Sequence, residues 1–315
     1  MSRIGKRAWA IAFVLMGAAS YGILSPVVKL AVRDGWSSGD ITQAQVLFGT
    51  ALLWLALIVS RWKRRGASPN SGAMSFKLLL ALAAVGIVGL SFTTSFYNET
   101  LSRLDASLAI VLLFQYTWIT ILLESIRARK WPSKPEWLSA LLIAVGTVLA
   151  VGLLEGDLGH IDGVGVLYGL LSAVSYALFF FLSGFLPERI DPMTKSAMMS
   201  TASMVFVMLI YAGHSIVTTD IGGSLFVWGV VLGFLGTAFP YFCFNFGIPR
   251  IGSGLSALLG AMELPAAVLG AFAILGEPLT AWQALGVVII VVGIAAAQYR
   301  TSKTAVSGKG GEESH

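Results

Sequence analysis

One cysteine in 315 residues rules out a disulfide within the chain, and that residue, Cys243, lies inside an apolar run. Charge is scarce too: Asp, Glu, Lys and Arg make up 12% of the chain, against roughly 25% in a soluble domain. The three histidines, His160, His214 and His315, are isolated, so the sequence offers no metal-ligand cluster. It contains no P-loop, which argues against an ATP-driven pump within this chain. No stretch between apolar runs is long enough to fold as a soluble domain. With no cofactor motif and no catalytic constellation in sight, the expectation is a chain without cofactor or metal.

What the chain has in excess is hydrophobicity, at 56% of residues and a mean hydropathy of +0.81. Charges gather in short blocks between apolar runs, the pattern of a polytopic membrane protein. The first run follows Arg3, Lys6 and Arg7 and spans about 9–31. A secretory signal has an apolar core of only ~7–15 residues, so this run reads as a retained helix. Further runs cover roughly 40–60, 77–98, 104–124, 135–153, 162–182, 194–214, 224–246, 252–272 and 279–299. The chain thus reads as all-α, with ten transmembrane helices, followed by a polar, Gly-rich tail over 300–315 expected to be disordered.

The basic residues set the orientation. With the N-terminus in the cytoplasm, all Lys and Arg but Lys29, Arg33 and Arg103 fall on the inner side, 18 of the 21. The positive-inside rule then places both termini in the cytoplasm of a multi-pass plasma-membrane protein. The net charge of +5 is accounted for as an orientation signal and requires no nucleic acid.

The chain also contains itself twice. Under one gapless offset of 147 residues, Gly86 meets Gly233, Gly89 meets Gly236 and Phe92 meets Phe239. Asn98 meets Asn245, Arg103 meets Arg250, Leu108 meets Leu255 and Gly146 meets Gly293. The halves are 1–153 and 154–299, each with five spans. Five is odd, so the second half enters the membrane upside down. Inverted repeats around a midplane site are a hallmark of secondary transporters.

The stretch 251–277 carries Glu263 near the middle of an apolar run. A carboxylate at that depth costs roughly 2.5–3.5 kcal/mol, so it faces a protein interior or a water-filled cavity. There it can carry a proton, balance a substrate ammonium, or sit neutral in a hydrogen bond to a neighbouring helix. Tyr116 stands opposite Glu263 under the repeat, with Gln115 and Trp118 beside it. Tyr and Trp normally mark the membrane interfaces, so their mid-helix position suggests a lined cavity, with plain packing as the alternative. Tyr21 and Tyr176 each follow a serine near the middle of helices one and six. These six residues, Glu263, Tyr116, Trp118, Gln115, Tyr21 and Tyr176, are the candidate substrate site, in a cavity lined by helices one, three, four, six, eight and nine.

Other singular residues read more simply. Asn98 and Asn245 are expected to cap tight turns, Arg103 and Arg250 to anchor in solvent, Lys29 to snorkel to the headgroups and Glu277 to hold a hairpin. Pro26, Pro240 and Pro265 free the carbonyls of Gly22, Gly236 and Ala261, which can bind ligand or act as bending points, with bare kinks as the alternative. The glycines permit close helix contact.

Two five-helix halves, the segment ELPAAVLGAFAILGEPLT and the last span AWQALGVVIIVVGIAAA resemble the EamA-type branch of the drug/metabolite transporter superfamily. The resemblance covers about residues 8–299, and its most specific piece is 263–280. It implies a ten-helix carrier of small metabolites in the cytoplasmic membrane, often of amino acids or amines and frequently outward. The expected energy source is a gradient of protons, the candidate coupling ion, or of substrate. Two departures stand out: Lys130 lies opposite Glu277, and Gln45 occupies a position where the family commonly has arginine. A broader drug or metabolite carrier, for efflux or uptake, is the nearest alternative. A membrane-embedded enzyme or receptor lacks the nucleophile–base set or signalling segment it would need.

The orientation is directly testable. In a Cys243-free background, single cysteines at positions 64 and 309 should resist an impermeant thiol reagent added to intact cells. Labelling from outside would overturn the orientation.

Overall fold

A computed structural model describes residues 3–63, 75–104, 106–153, 162–211 and 223–307, all helical or in short turns. The helices are α1 (Arg3–Arg33), α2 (Ser38–Lys63), α3 (Phe76–Leu101) and α4 (Leu108–Ala128), then α5 (Lys134–Ala150), α6 (Gly163–Ser183) and α7 (Pro192–Ile210). The last three are α8 (Leu225–Ile251), α9 (Ser253–Leu275) and α10 (Ala281–Ser307). Among the described residues, nine helices are long and apolar enough to cross a bilayer. The tenth, α5, has 17 residues, the lower end of the ~17–25 a span needs. Its outer face is as apolar as that of its neighbours: Leu141 on α5 is 61% exposed and Ile58 on α2 59%, as expected where lipid is the solvent.

Local chemistry explains where the helices start and stop. Ser133 and Glu136 form a capping box on α5, Asp162 accepts from the Val164 N–H at the start of α6, and Asp191 accepts from the Thr194 N–H in α7. Thr280 and Gln283 cap α10 reciprocally, which gives the LGEPLT turn its role. Gly276, at φ 67°, ends α9 in the left-handed region. The Val164 N–H, helped by Arg103, holds the Asp162 carboxyl below its usual range.

One expectation is corrected here. The chain was expected to lose order after 299, yet α10 continues to Ser307. No glycine or proline interrupts 298–307, so the helix propagates at little cost. The remainder of the tail, 308–315, and the junction at 154–161 lie outside the described residues.

The packing exchanges partners between halves. α1 packs on α8 and α9, while α6 packs on α3 and α4. α2 packs on the first part of α8 and α7 on the first part of α3; α2 meets α7, and α5 meets α10. Swapping the halves maps each of these pairings onto another of them. Glycines allow the closest crossings. A Cβ on Gly146 would stand 2.7 Å from Ile290 Cγ1 and 2.9 Å from the Gly286 carbonyl oxygen, so α5 and α10 touch backbone to backbone.

Cross-chain polar pairs respect the expected alternation of sides. Lys29 meets Glu277 at 3.1 Å and Arg103 meets Asp162 at 3.4 Å, both among loops read as outer. Arg250 lies 4.0 Å from Glu188, between loops read as inner. Lys29 therefore pairs where it was expected to snorkel, an exposed contact of the kind worth ~0–1 kcal/mol. Arg250 is not simply solvated either: its guanidinium lies 4.1 Å from the centre of the Phe246 ring.

The packing carries a stability prediction. Gly146→Val should destabilise by about 1–3 kcal/mol through overpacking. Gly163→Ala, at a position with open space around it, should change stability by less than ~1 kcal/mol. Thermal unfolding of the two variants in detergent checks the contrast.

Candidate functional site

Four irregularities in the helices prepare the site, and they occur in matched pairs. α4 breaks at Phe114–Gln115 and α9 at Ala261–Met262, separated by the same 147 residues as the sequence repeat. α3 carries a π-helical segment at Val85–Ser91 and α8 another at Phe234–Ala238. Segments of this kind frequently mark functional positions.

Proline accounts for much of this. Pro240 opens the regular helix after the second π segment, and the Gly236 carbonyl it frees accepts from Gln45 Nε2 at 3.2 Å. Ser20 Oγ donates to the neighbouring Leu235 carbonyl at 2.7 Å. In the first half Thr93, at the position matching Pro240, donates to the Gly89 carbonyl at 2.5 Å. Pro265 sits in the first turn after the break in α9, and the Ala261 carbonyl accepts from the Leu264 N–H instead. The freed carbonyls at Gly236 and Ala261 are therefore satisfied within the protein.

Tyr116 and Glu263 are the first residues after the two breaks. Glu263 lies about 15 Å along α9 from Ser253, half the ~30 Å hydrocarbon thickness. It is half-buried, and Tyr176 Oη donates to its Oε2 at 3.4 Å. Tyr116 and Tyr176 meet with ring centroids 4.5 Å apart, and Tyr116 stacks on Phe180 at 5.3 Å. The Tyr116 hydroxyl is buried without a partner, tight against Gly260. Tyr21 stacks on Phe244 at 5.9 Å. Tyr21, Tyr97, Tyr116 and Tyr176 all lie within electrostatic reach of the Glu263 carboxylate. Gly22, next to Tyr21, lets α1 rest on the Glu263 carbonyl, where any Cβ would collide.

Glu263, Tyr116, Tyr176 and Tyr21 are thus brought together. Gln115 and Trp118 are not: the Trp118 indole donates to Gln115 Oε1 at 2.8 Å, the Gln115 amide bonds its own helix at Val111, and Trp118 is 36% exposed. The helical twist turns these two side chains away from the face that Tyr116 presents.

A polar cavity of about 80 Å³ lies beside the cluster, bordered by Tyr21, Gln45, Ser91, Thr94, Ser203 and Thr237 among others. Its walls come from α1, α2, α3, α7 and α8, so α2 and α7 stand where α4, α6 and α9 were expected. Stacked rings of Tyr116, Tyr176 and Phe180 fill the space between α4 and α6 instead.

Three roles escaped the sequence. Tyr97 of α3 lies within electrostatic reach of Glu263, and the repeat pairs it with Phe244 rather than with another tyrosine. Glu124, one turn from the end of α4, accepts from Ser253 Oγ at 3.0 Å and from the Gly254 N–H, capping α9 from the other half. The asparagines do not cap turns. Asn98 Nδ2 donates to Tyr211 Oη at 3.4 Å and Asn245 Nδ2 to Ser196 Oγ at 3.1 Å. Each stands inside its helix: Asn98 meets Tyr211, the residue that follows α7, and Asn245 meets Ser196 within α7.

Broken helices meeting at mid-depth, an interior carboxylate ringed by tyrosines from four helices and an adjoining polar cavity define a membrane carrier. The EamA-like transporter family matches residues 8–152 and 163–297, and the chain belongs to it. The uncharacterized transporter YcbK of Bacillus subtilis (strain 168) is 25% identical, over 96% of this chain and 97% of its own. The uncharacterized transporter sll1319 of Synechocystis sp. is 26% identical, over 64% of this chain and 61% of its own. A solved crystal structure matches the fold with a TM-score of 0.76 at 19% identity, covering 95% of this chain and 99% of that one.

The Glu124 cap is open to test. Glu124→Ala should lower stability by about 1–2 kcal/mol, the range for a lost helix cap, and Glu124→Gln by less. An unchanged melting temperature for Glu124→Ala would show the cap to be inert.

Proposed function

We propose that this transporter is a proton-linked exporter of small organic metabolites, amino acids or related amines, across the cytoplasmic membrane, with both termini in the cytoplasm. The observation that carries this reading is the contact, within the second half, between Tyr176 on α6 and Glu263 at the helix break of α9. A carboxylate at bilayer depth can hold either a proton or a cationic group, and one site that holds only one at a time couples their movements. The Tyr176 hydroxyl donates to the ionised carboxylate and orients it, while Tyr21, Tyr97 and Tyr116 shield it from lipid. The matched breaks and π segments provide bending points about which the halves rock, opening the site to one side and then the other. On the inner side, the Glu124 cap joins α4 to α9 and has to release when that side opens. A second reading, a carrier of broader specificity, draws on the aromatic walls, which accept varied apolar groups.

Uptake measured against pH in proteoliposomes tests the coupling. Glu263→Gln keeps shape and hydrogen bonding, so it should fold, lose pH-dependent uphill transport and retain passive exchange of substrate. If wild type and Glu263→Gln coincide in rate and pH profile, Glu263 is a packing residue and the coupling idea fails.

A further inference from the structure

The charge inventory of the site is one-sided. Glu263 is bonded by Tyr176, and the groups within its electrostatic reach are tyrosines; among the described residues, no Lys, Arg or His borders the adjoining cavity. A zwitterionic amino acid would bring a second carboxylate into this space with no cation to meet it. Burying an unpaired carboxylate is costly, and placing it near Glu263 adds like-charge repulsion. An ammonium meets the opposite condition, the Glu263 carboxylate to pair with, beside the packed aromatic side chains of Tyr176 and Tyr116.

The cavity beyond Tyr21 adds a second criterion. Thr237, 1% exposed, is among the residues around it, and its buried hydroxyl oxygen has no hydrogen-bond partner. A buried polar group in that condition favours a ligand atom or water that can bond it. Ser91 and Ser203 pair at 2.8 Å on the same wall. At about 80 Å³ the cavity takes a group of a few heavy atoms.

Building on the transport reading above, we infer that the preferred substrate is a small organic cation: an amine with a hydroxyl or similar neutral polar group and no free carboxylate. Its ammonium lies between Glu263 and the tyrosines, and its polar end reaches past Tyr21 toward Thr237. Amino acids are the disfavoured members of the proposed substrate range.

Matched probes separate these features. Ethanolamine, serine methyl ester, serine and ethylamine share an amine and differ in the carboxylate or the hydroxyl. Each is titrated against the purified full chain by thermal stabilisation and tried in proteoliposome counterflow. Ethanolamine and serine methyl ester should half-saturate at concentrations at least tenfold below serine, and Glu263→Gln should erase that gap. Ethanolamine should outbind ethylamine severalfold, an advantage lost in Thr237→Val. Serine binding as well as its methyl ester, or a gap that survives Glu263→Gln, overturns the substrate class. An ethanolamine advantage unchanged in Thr237→Val overturns the placement of the polar end. If serine undergoes Glu263-dependent counterflow while the amines do not, the class falls and the transport reading stands. If no probe or wider metabolite panel shows counterflow, both fall.

Discussion

Inside hydrocarbon a backbone amide or carbonyl has no water to turn to, and each one left unpaired costs several kcal/mol. Regular helix is the cheap solution, so every departure from it must be compensated by a neighbour. Here the departures are concentrated in α3, α4, α8 and α9, and their compensation defines the interior. Gln45 and Ser20 reach across to the carbonyls of Gly236 and Leu235, while Thr93 reaches Gly89 within its own helix. The π segments are therefore tied to specific partners on α1 and α2 as well as to their own helix. A site whose irregular backbone is satisfied by side chains on neighbouring helices can change shape by exchanging partners, which a continuous helix cannot do.

The same constraint explains why the halves are interlocked. Each first helix, α1 or α6, packs on the third and fourth helices of the opposite half. The glycines at those crossings let backbones approach, as Gly22 does at the Glu263 carbonyl and Gly89 does at Phe179. Dispersion between closely packed backbones replaces the hydrophobic effect, which does not operate between helices already surrounded by lipid. Any motion of one half against the other must carry Tyr21 and Tyr116 of the first half relative to Tyr176 and Glu263 of the second.

Much of this was legible in the residues. Glu263 stood out because a carboxylate is expensive in an apolar run, and the 147-residue offset singled out Tyr116 as its counterpart; both prove to be the residues that follow the helix breaks. Pro240 announced the freed carbonyl at Gly236. Other features were not legible. Trp118 and Gln115 differ from Tyr116 by two positions and one, and only the actual rotation of α4 separates their faces. The Glu124 cap joins residues 130 apart in sequence, with no periodicity to reveal it. Asn98 and Asn245 were placed at turns because helix ends read from hydropathy are imprecise by a few residues, enough to move a side chain from a loop to a neighbouring helix.

The sequence by itself determined the material and its order: apolar runs long enough to cross a bilayer, and matched residues at a 147-residue offset. The runs follow from the solvent, since hydrocarbon accepts only apolar, internally bonded segments. The tertiary structure alone decided which faces meet. That choice placed Tyr97 with Glu263 and turned Trp118 outward. It also put α2 and α7 around the polar cavity and carried Glu124 to the start of α9. Lipid is as apolar as the side chains it touches, so hydropathy hardly distinguishes a lipid-facing surface from a buried one. What separates them is the fit of neighbouring helices, glycine against backbone and ring against ring.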